Sequence, residues 1–167
     1  MRSTVLLAIL SDTHLPRGAR RIPDAALALA RSADLILHAG DLTTLPVLEE
    51  LRSLGPPVVA VHGNVDDAAV RAALPEVATV DADGATIAMT HDAGPAAGRL
   101  ARMRARFPDA DAVVFGHSHI PLQERDAEGF QLFNPGSATD RRRQPRHTMG
   151  VCHAEGGALR FEIVALD

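Results

Sequence analysis

Val5-Leu6-Leu7-Ala8-Ile9-Leu10-Ser11-Asp12-Thr13-His14 holds six apolar side chains that give way abruptly to polar ones at Ser11-Asp12. A short apolar run closed by a polar turn reads as a buried strand. With one arginine ahead of it and no small-residue cleavage site behind, it does not read as a signal peptide. The same pattern recurs. Leu35–Leu37 precedes Gly40-Asp41, Val58–Val61 precedes Gly63-Asn64, Thr86–Met89 precedes His91, and Val113–Phe115 precedes Gly116-His117-Ser118-His119. Helical patterns lie between the runs at Asp24–Ala33, Pro46–Leu54 and Ala96–Phe107, the first opened by Pro23, a residue suited to a helix start. Ligands of open α/β sheets bind beyond the carboxyl ends of the strands. Asp12, His14, Asp41, Asn64, His91, His117 and His119 are therefore expected on one rim.

Beyond Gln123 the pattern changes to short strands at Phe130–Phe133, Met149–Cys152 and Leu159–Val164, separated by Glu128-Gly129 and Gly156-Gly157 turns, which predicts an antiparallel meander. The sum is an α/β domain in which two mixed sheets pack face to face as a sandwich flanked by helices. A single doubly wound sheet is the alternative. The 167 residues suit one domain spanning 1–167, and 46% hydrophobic content is enough for a full core. The lone Cys152 allows no internal disulfide, reads as a small core residue and suits a reducing cytoplasm. No stretch approaches the roughly 20 apolar residues of a membrane span. All 17 Lys and Arg positions are arginine, a compositional bias. The net charge of -4, with no Trp and no Tyr, argues against general nucleic-acid binding.

Two cations held close together need many oxygen and imidazole donors, with a carboxylate able to bridge them. The rim offers three oxygen ligands and four imidazoles. Asp12 and His14 are two apart, so a bend between them can turn both toward one ion. Gly40 lets the backbone come close to a cation or phosphate, and Asp41 beside it is the natural bridge. His117 and His119 flank Ser118, so a kinked loop can give one imidazole to each metal. Mixed imidazole and carboxylate ligation favours Mn, Fe, Zn, Ni or Co over Ca or Mg.

The order Asp-x-His, Gly-Asp, Gly-Asn-x-Asp, His and Gly-His-x-His, together with Asn134-Pro135-Gly136-Ser137, resembles the calcineurin-like metallophosphoesterases, most closely their small bacterial and archaeal phosphodiesterase branch. The resemblance runs from Asp12 to about Arg146. It implies one metal held by Asp12, His14 and His119, another by Asn64, His91 and His117, and Asp41 between them. It also implies two divalent ions, manganese first, with a metal-bridging water or hydroxide attacking the phosphorus of a small phosphoester, a diester before a monoester. Asn64 and His91 would also face the substrate. Many relatives carry a leaving-group acid after the motif asparagine; here Val65 stands there, leaving His62 as the candidate acid. His91 is followed by Asp92-Ala93 where the branch commonly has Gly-His, a departure that touches substrate contacts. The fold also serves a retromer scaffold subunit, so a non-catalytic interaction module is the alternative. No glycine-rich fingerprint follows the first strand, which argues against a nucleotide-binding doubly wound domain.

Other polar residues have structural readings. His38, His147 and His153 fall outside the pattern. Asp66 reads as the cap of a short helix beginning at Asp67-Ala68-Ala69, and Asn134-Pro135-Gly136-Ser137 as a type II turn supporting the rim. Arg99, Arg102 and Arg106 read as the exposed face of a helix. Arg141, Arg142, Arg143 and Arg146 suit either a grip on substrate phosphate, with Arg141 foremost, or a solvated loop.

Overall fold

The computed structural model describes residues 4–167. Its first sheet has the order β10-β9-β1-β2-β3, with β1 at Val5–Leu10, β2 at Leu35–His38, β3 at Val58–Ala60, β9 at Thr148–Glu155 and β10 at Ala158–Ala165. The second has the order β4-β5-β6-β8-β7, with β4 at Val77–Ala82, β5 at Ala85–Thr90, β6 at Ala112–Val114, β7 at Leu122–Arg125 and β8 at Gln131–Asn134. The helices are α1 (Asp24–Ser32), α2 (Leu45–Arg52), α3 (Ala68–Ala73) and α4 (Arg99–Arg106). Among the described residues no helix is long and apolar enough to cross a membrane.

Period-two alternation sorts the side chains of β1 into two cores. Leu7 and Ile9 point between the sheets, where they meet Leu37, Ile87, Met89, Val114, Phe133 and Phe161. Ala8 and Leu10 point outward, onto Ala26 and Ala30 of α1 and Leu48 and Leu51 of α2. A third cluster covers the far face of the second sheet, where Met103 of α4 packs with Ala88, Val113, Phe115 and Leu132. The layers are helix, sheet, sheet, helix. Full burial of a leucine or isoleucine stabilises by about 1.5–3 kcal/mol, and β1 is buried on both faces, which is why its sequence is a continuous apolar run rather than an alternating one. Phe133 of β8 stacks on Phe161 of β10 with centroids 4.8 Å apart, tying the two sheets. Cys152 lies in the same core, and burial pushes its thiol up to about 12.

The C-terminal third is not one meander. β8 runs parallel to β6 and antiparallel to β7 in the second sheet, whereas β9 crosses to the first sheet and lies antiparallel to both β1 and β10. β1, β2 and β3 are mutually parallel, as are β5, β6 and β8. The loops carrying the candidate ligands leave the carboxyl ends of these strands, three from the first sheet and two from the second.

Candidate metal centre

The residues that follow the strands adopt the left-handed region that L side chains rarely enter: Asp12 (φ 55°), His14 (φ 46°), Asp41 (φ 61°), His117 (φ 73°) and His119 (φ 61°). Each costs on the order of 1–3 kcal/mol, and such strain concentrates where function over-determines the backbone. Gly40 at φ 104° makes the approach closer still, since a Cβ there would sit 2.7 Å from Nδ1 of His91.

Six of the seven predicted donors form two groups, Asp12 with His14 and His119, and Asp41 with His91 and His117, the donor atoms of each group lying within 4.8 Å of one another. The rings of His14 and His119 meet edge to face at 4.8 Å, and those of His91 and His117 at 5.3 Å. Asn64 joins the second group, its Oδ1 3.0 Å from Nε2 of His91 and 3.1 Å from Nδ1 of His117. Asp41 Oδ2 lies 3.3 Å from Nε2 of His14 and 3.1 Å from Nε2 of His91. It thus faces one imidazole of each group. Asp12 Oδ1 is 3.6 Å from Nε2 of His119.

The surroundings fix which atoms face inward. His91 Nδ1 donates to Ala39 O at 2.8 Å and His119 Nδ1 to Asp140 O at 2.6 Å, so Nε2 of each is left for a ligand. Ser11 Oγ donates to Asp12 Oδ2 at 2.7 Å, and the Val65 N–H to Asp41 Oδ1 at 3.0 Å. Nε2 of His14 and of His119 is buried without a hydrogen-bond partner among the described residues. Buried polar atoms left unpaired are costly, and two imidazole nitrogens aimed among two buried carboxylates fit a divalent cation in chemistry and number.

In the protein alone a proton answers part of this need: Asp12 and then Asp41 push the His14 imidazole up to about 9. Burial opposes ionisation of Asp41, but the His14 and His91 imidazoles beside it outweigh that and hold the carboxyl far below the usual range. Burial lowers His119. Burial also drops His38 to about 4, so it is neutral. Its Nδ1 accepts from the Gly40 N–H at 3.1 Å, and its Nε2–H donates to Thr13 Oγ1 at 3.1 Å. This imidazole braces two ligand loops, the structural role its sequence position suggests.

Asp66 is structural, though not as a cap. Its buried carboxylate accepts from the N–H groups of Asp41 (3.0 Å), Thr43 (2.7 Å) and Gly63 (2.7 Å), locking the loops after β2 and β3 together. The cap of α3 is Asp67, which accepts from the Val70 N–H at 2.9 Å. The Asn134-Pro135-Gly136-Ser137 segment is not closed by the main-chain bond of a type II turn; the Gly136 N–H donates instead to Asn134 Oδ1 at 2.9 Å, and the segment stitches the rim. Asn134 Nδ2 donates to Gly116 O (3.1 Å) and Ser118 Oγ (3.2 Å), and Ser137 Oγ to Asp12 O (2.8 Å).

A cleft of about 400 Å³ adjoins the second group, lined by His62, Gly63, Asn64, Arg71, Glu76, Thr90, His91, Asp92 and Arg106. Half-buried His62 is thus on the same wall as Asn64 and His91. Arg141 is not on it; its Nη1 donates to Gln144 O at 2.6 Å within its own loop. The α4 arginines do more than coat a surface. Arg102 Nη2 donates to Ala93 O and Pro95 O, both at 2.7 Å, Arg99 lies over the Phe115 ring at 5.0 Å, and Arg106 reaches the cleft. Arg71 and Arg106 carry no sequence signal for this position, because they arrive from helices in different layers.

A helix-flanked double sheet with imidazoles and carboxylates gathered at the carboxyl ends of both sheets defines the metallophosphoesterase class. The chain belongs to the calcineurin-like phosphoesterase superfamily, whose domain model matches residues 5–157. It is 34% identical over 162 residues to a probable metallophosphoesterase of Methanothermobacter thermautotrophicus, covering 96% of this chain and 92% of that protein. It is 23% identical over 145 residues to a phosphodiesterase of Methanocaldococcus jannaschii, covering 78% and 82%. In fold it is similar to Vacuolar Protein Sorting 29 of Cryptosporidium parvum, with a TM-score of 0.80, 20% identity and 98% of each chain covered. The family binds divalent metals, and the two donor groups are where this chain could hold them.

Proposed function

We propose that the protein is a dinuclear metal-dependent phosphodiesterase. The observation that carries this reading is Asp41 Oδ2, which faces His14 of one donor group at 3.3 Å and His91 of the other at 3.1 Å, the placement of a bridging ligand. Asp12, His14 and His119 would hold one cation, and Asn64, His91 and His117 the other, with manganese first among Mn, Zn, Ni, Fe and Co. When bound, such a pair lowers the pKa of water toward neutrality and offsets charge on a phosphoryl group.

The protein's own part is to hold the donors rigid and receive the ester. Asn64 and His117 are the exposed members of the donor set, so the ester approaches from their side. Val65 is 45% exposed beside Asn64 and cannot donate a proton. His62 on the cleft wall is the group proposed to protonate the leaving oxygen. The kinship with a phosphodiesterase supports a diester over a monoester.

The test is hydrolysis of bis(p-nitrophenyl) phosphate and p-nitrophenyl phosphate by metal-stripped protein, with Mn, Zn, Ni, Fe or Co returned. Cation-dependent diester hydrolysis, reduced at least about 100-fold by Asp41→Asn or His117→Ala, is expected. Activity that survives both substitutions refutes the mechanism. The fold likeness to Vacuolar Protein Sorting 29 motivates a second reading, a non-catalytic interaction module. That reading predicts a folded protein inert toward every ester with every cation.

A further inference from the structure

The cleft beside the second donor group carries charge that hydrolysis of a simple ester leaves unused. Arg71 on α3 donates from Nε to Asp66 O at 2.9 Å and from Nη2 to Asn64 O at 2.8 Å, which fixes its guanidinium against the loop bearing Asn64. Arg106 on α4 donates from Nη1 to the hydroxyl of Thr90, the residue before His91, at 3.3 Å. Two cations from helices on opposite outer layers therefore line one cleft, each attached to chain next to a candidate metal ligand.

Neither has an ionic partner among the described residues. Among the described residues the arginines in ion pairs are Arg20, Arg21 and Arg104. Of the carboxylates on the same walls, Asp92 accepts from its own turn, at the Gly94 N–H, 2.8 Å away, and Glu76 pairs with neither guanidinium. A guanidinium without an ionic partner favours an anion, and its planar fork matches phosphate and carboxylate oxygens. The reacting phosphoryl group belongs at the donor groups rather than here. A cleft of about 400 Å³ has the size of a small-ligand site and holds more than an inorganic anion.

We propose that this cleft is a second anion subsite, in which Arg71 and Arg106 grip a phosphate or carboxylate on the group esterified to the reacting phosphorus. The preferred substrates are then diesters bearing a neighbouring anion. This rests on the phosphodiesterase reading and goes beyond it, since nothing in that chemistry requires a second charge on the substrate.

The test compares kcat/KM of manganese-loaded protein on the p-nitrophenyl ester of thymidine 5′-phosphate with and without a 3′-phosphate, and with a 3′-carboxymethyl group to separate carboxylate from phosphate. A preference of about tenfold or more for an anion-bearing ester is expected, residing in KM. Arg106→Gln should bring it to about one to twofold, with Arg106→Lys retaining part of it. Arg71→Gln should act in the same direction, and unchanged melting temperatures exclude misfolding. Equal kcat/KM for the three esters, or a preference that survives both glutamine variants, overturns the subsite. If no ester is hydrolysed, the parent reading fails and the subsite is judged by calorimetry. Thymidine 3′,5′-bisphosphate should then bind about tenfold more tightly than thymidine 5′-phosphate in wild type but not in Arg106→Gln, and equal binding in wild type overturns it.

Discussion

Replacing Asp66 by alanine tests whether the loops after β2 and β3 are held as one unit. The substitution removes the acceptor of three main-chain N–H groups, those of Asp41 at 3.0 Å, Thr43 at 2.7 Å and Gly63 at 2.7 Å, and Asp66 itself is only 5% exposed. Each buried donor left without a partner costs about 1–3 kcal/mol. Relaxation and entering water reduce the total, so the expected loss is about 4 kcal/mol. For a chain of this length that lowers the melting temperature by about 8–16 °C. Asp66→Asn keeps one carbonyl oxygen but turns an amide toward the remaining donors, and should lose about 2 kcal/mol. The control is Asp67→Ala, which frees only the Val70 N–H and should cost about 1 kcal/mol as an ordinary cap. Urea denaturation of the three metal-stripped variants supplies the numbers. An Asp66→Ala loss equal to or smaller than that of Asp67→Ala refutes the clamp.

His38 sets an acid limit. Burial holds it at about 4 against 6.5 in the unfolded chain, so between those values the unfolded state binds a proton that the native state lacks. Stability therefore falls as pH drops from 6.5 to 4, by up to about 3 kcal/mol. Urea midpoints across that range should show the slope in wild type and a flatter one in His38→Gln; identical slopes contradict it. His14, raised to about 9 when no cation is bound, must lose its proton to ligate. Cation affinity measured by calorimetry should thus climb with pH up to about 9, while metal-stripped protein loses the His14 contribution to stability as pH rises from 6.5 through 9. A pH-independent affinity contradicts this. Gly63→Ala would bring a Cβ against the Asp41 carboxylate and 2.7 Å from the Asp41 main-chain N. We expect a loss of about 1–3 kcal/mol from the forced backbone shift and weakened cation binding in equilibrium dialysis. Unaltered binding would show that the approach of the two loops is unimportant.

The rim was legible because its donors terminate strands that are buried on both faces, and such strands stand out as unbroken apolar runs. β4 and β7 were not, and they are the two edges of the second sheet. Val77–Ala82 carries Thr79 and Asp81, and Leu122–Arg125 alternates half-buried Leu122 and Glu124 with exposed Gln123 and Arg125. Edges need few apolar residues and favour charged ones. Which sheet β8 and β9 would join depends on contacts between the sheets, such as the stacking of Phe133 on Phe161, that strand propensity does not encode. Asp66 and Asp67 are adjacent carboxylates, and either fits a cap by sequence. The distinction lies in the extended backbone of Asp67, φ -72° and ψ 173°, which aims its side chain at Val70. The expected ligand sets were Asp12 with His14 and His119, and Asn64 with His91 and His117, with Asp41 between them; the donor atoms cluster as Asp12 with His14 and His119, and Asp41 with His91 and His117, because short loops after parallel strands leave little freedom in where their first residues go.

The most direct test of the dinuclear reading is the number and coupling of manganese ions on the folded protein, from metal analysis after equilibrium dialysis combined with electron paramagnetic resonance. Two ions per chain are expected, giving the spectrum of a spin-coupled pair, with the coupling lost in Asp41→Asn. One ion or none at saturating manganese, or two that remain magnetically isolated in wild type, would contradict that reading.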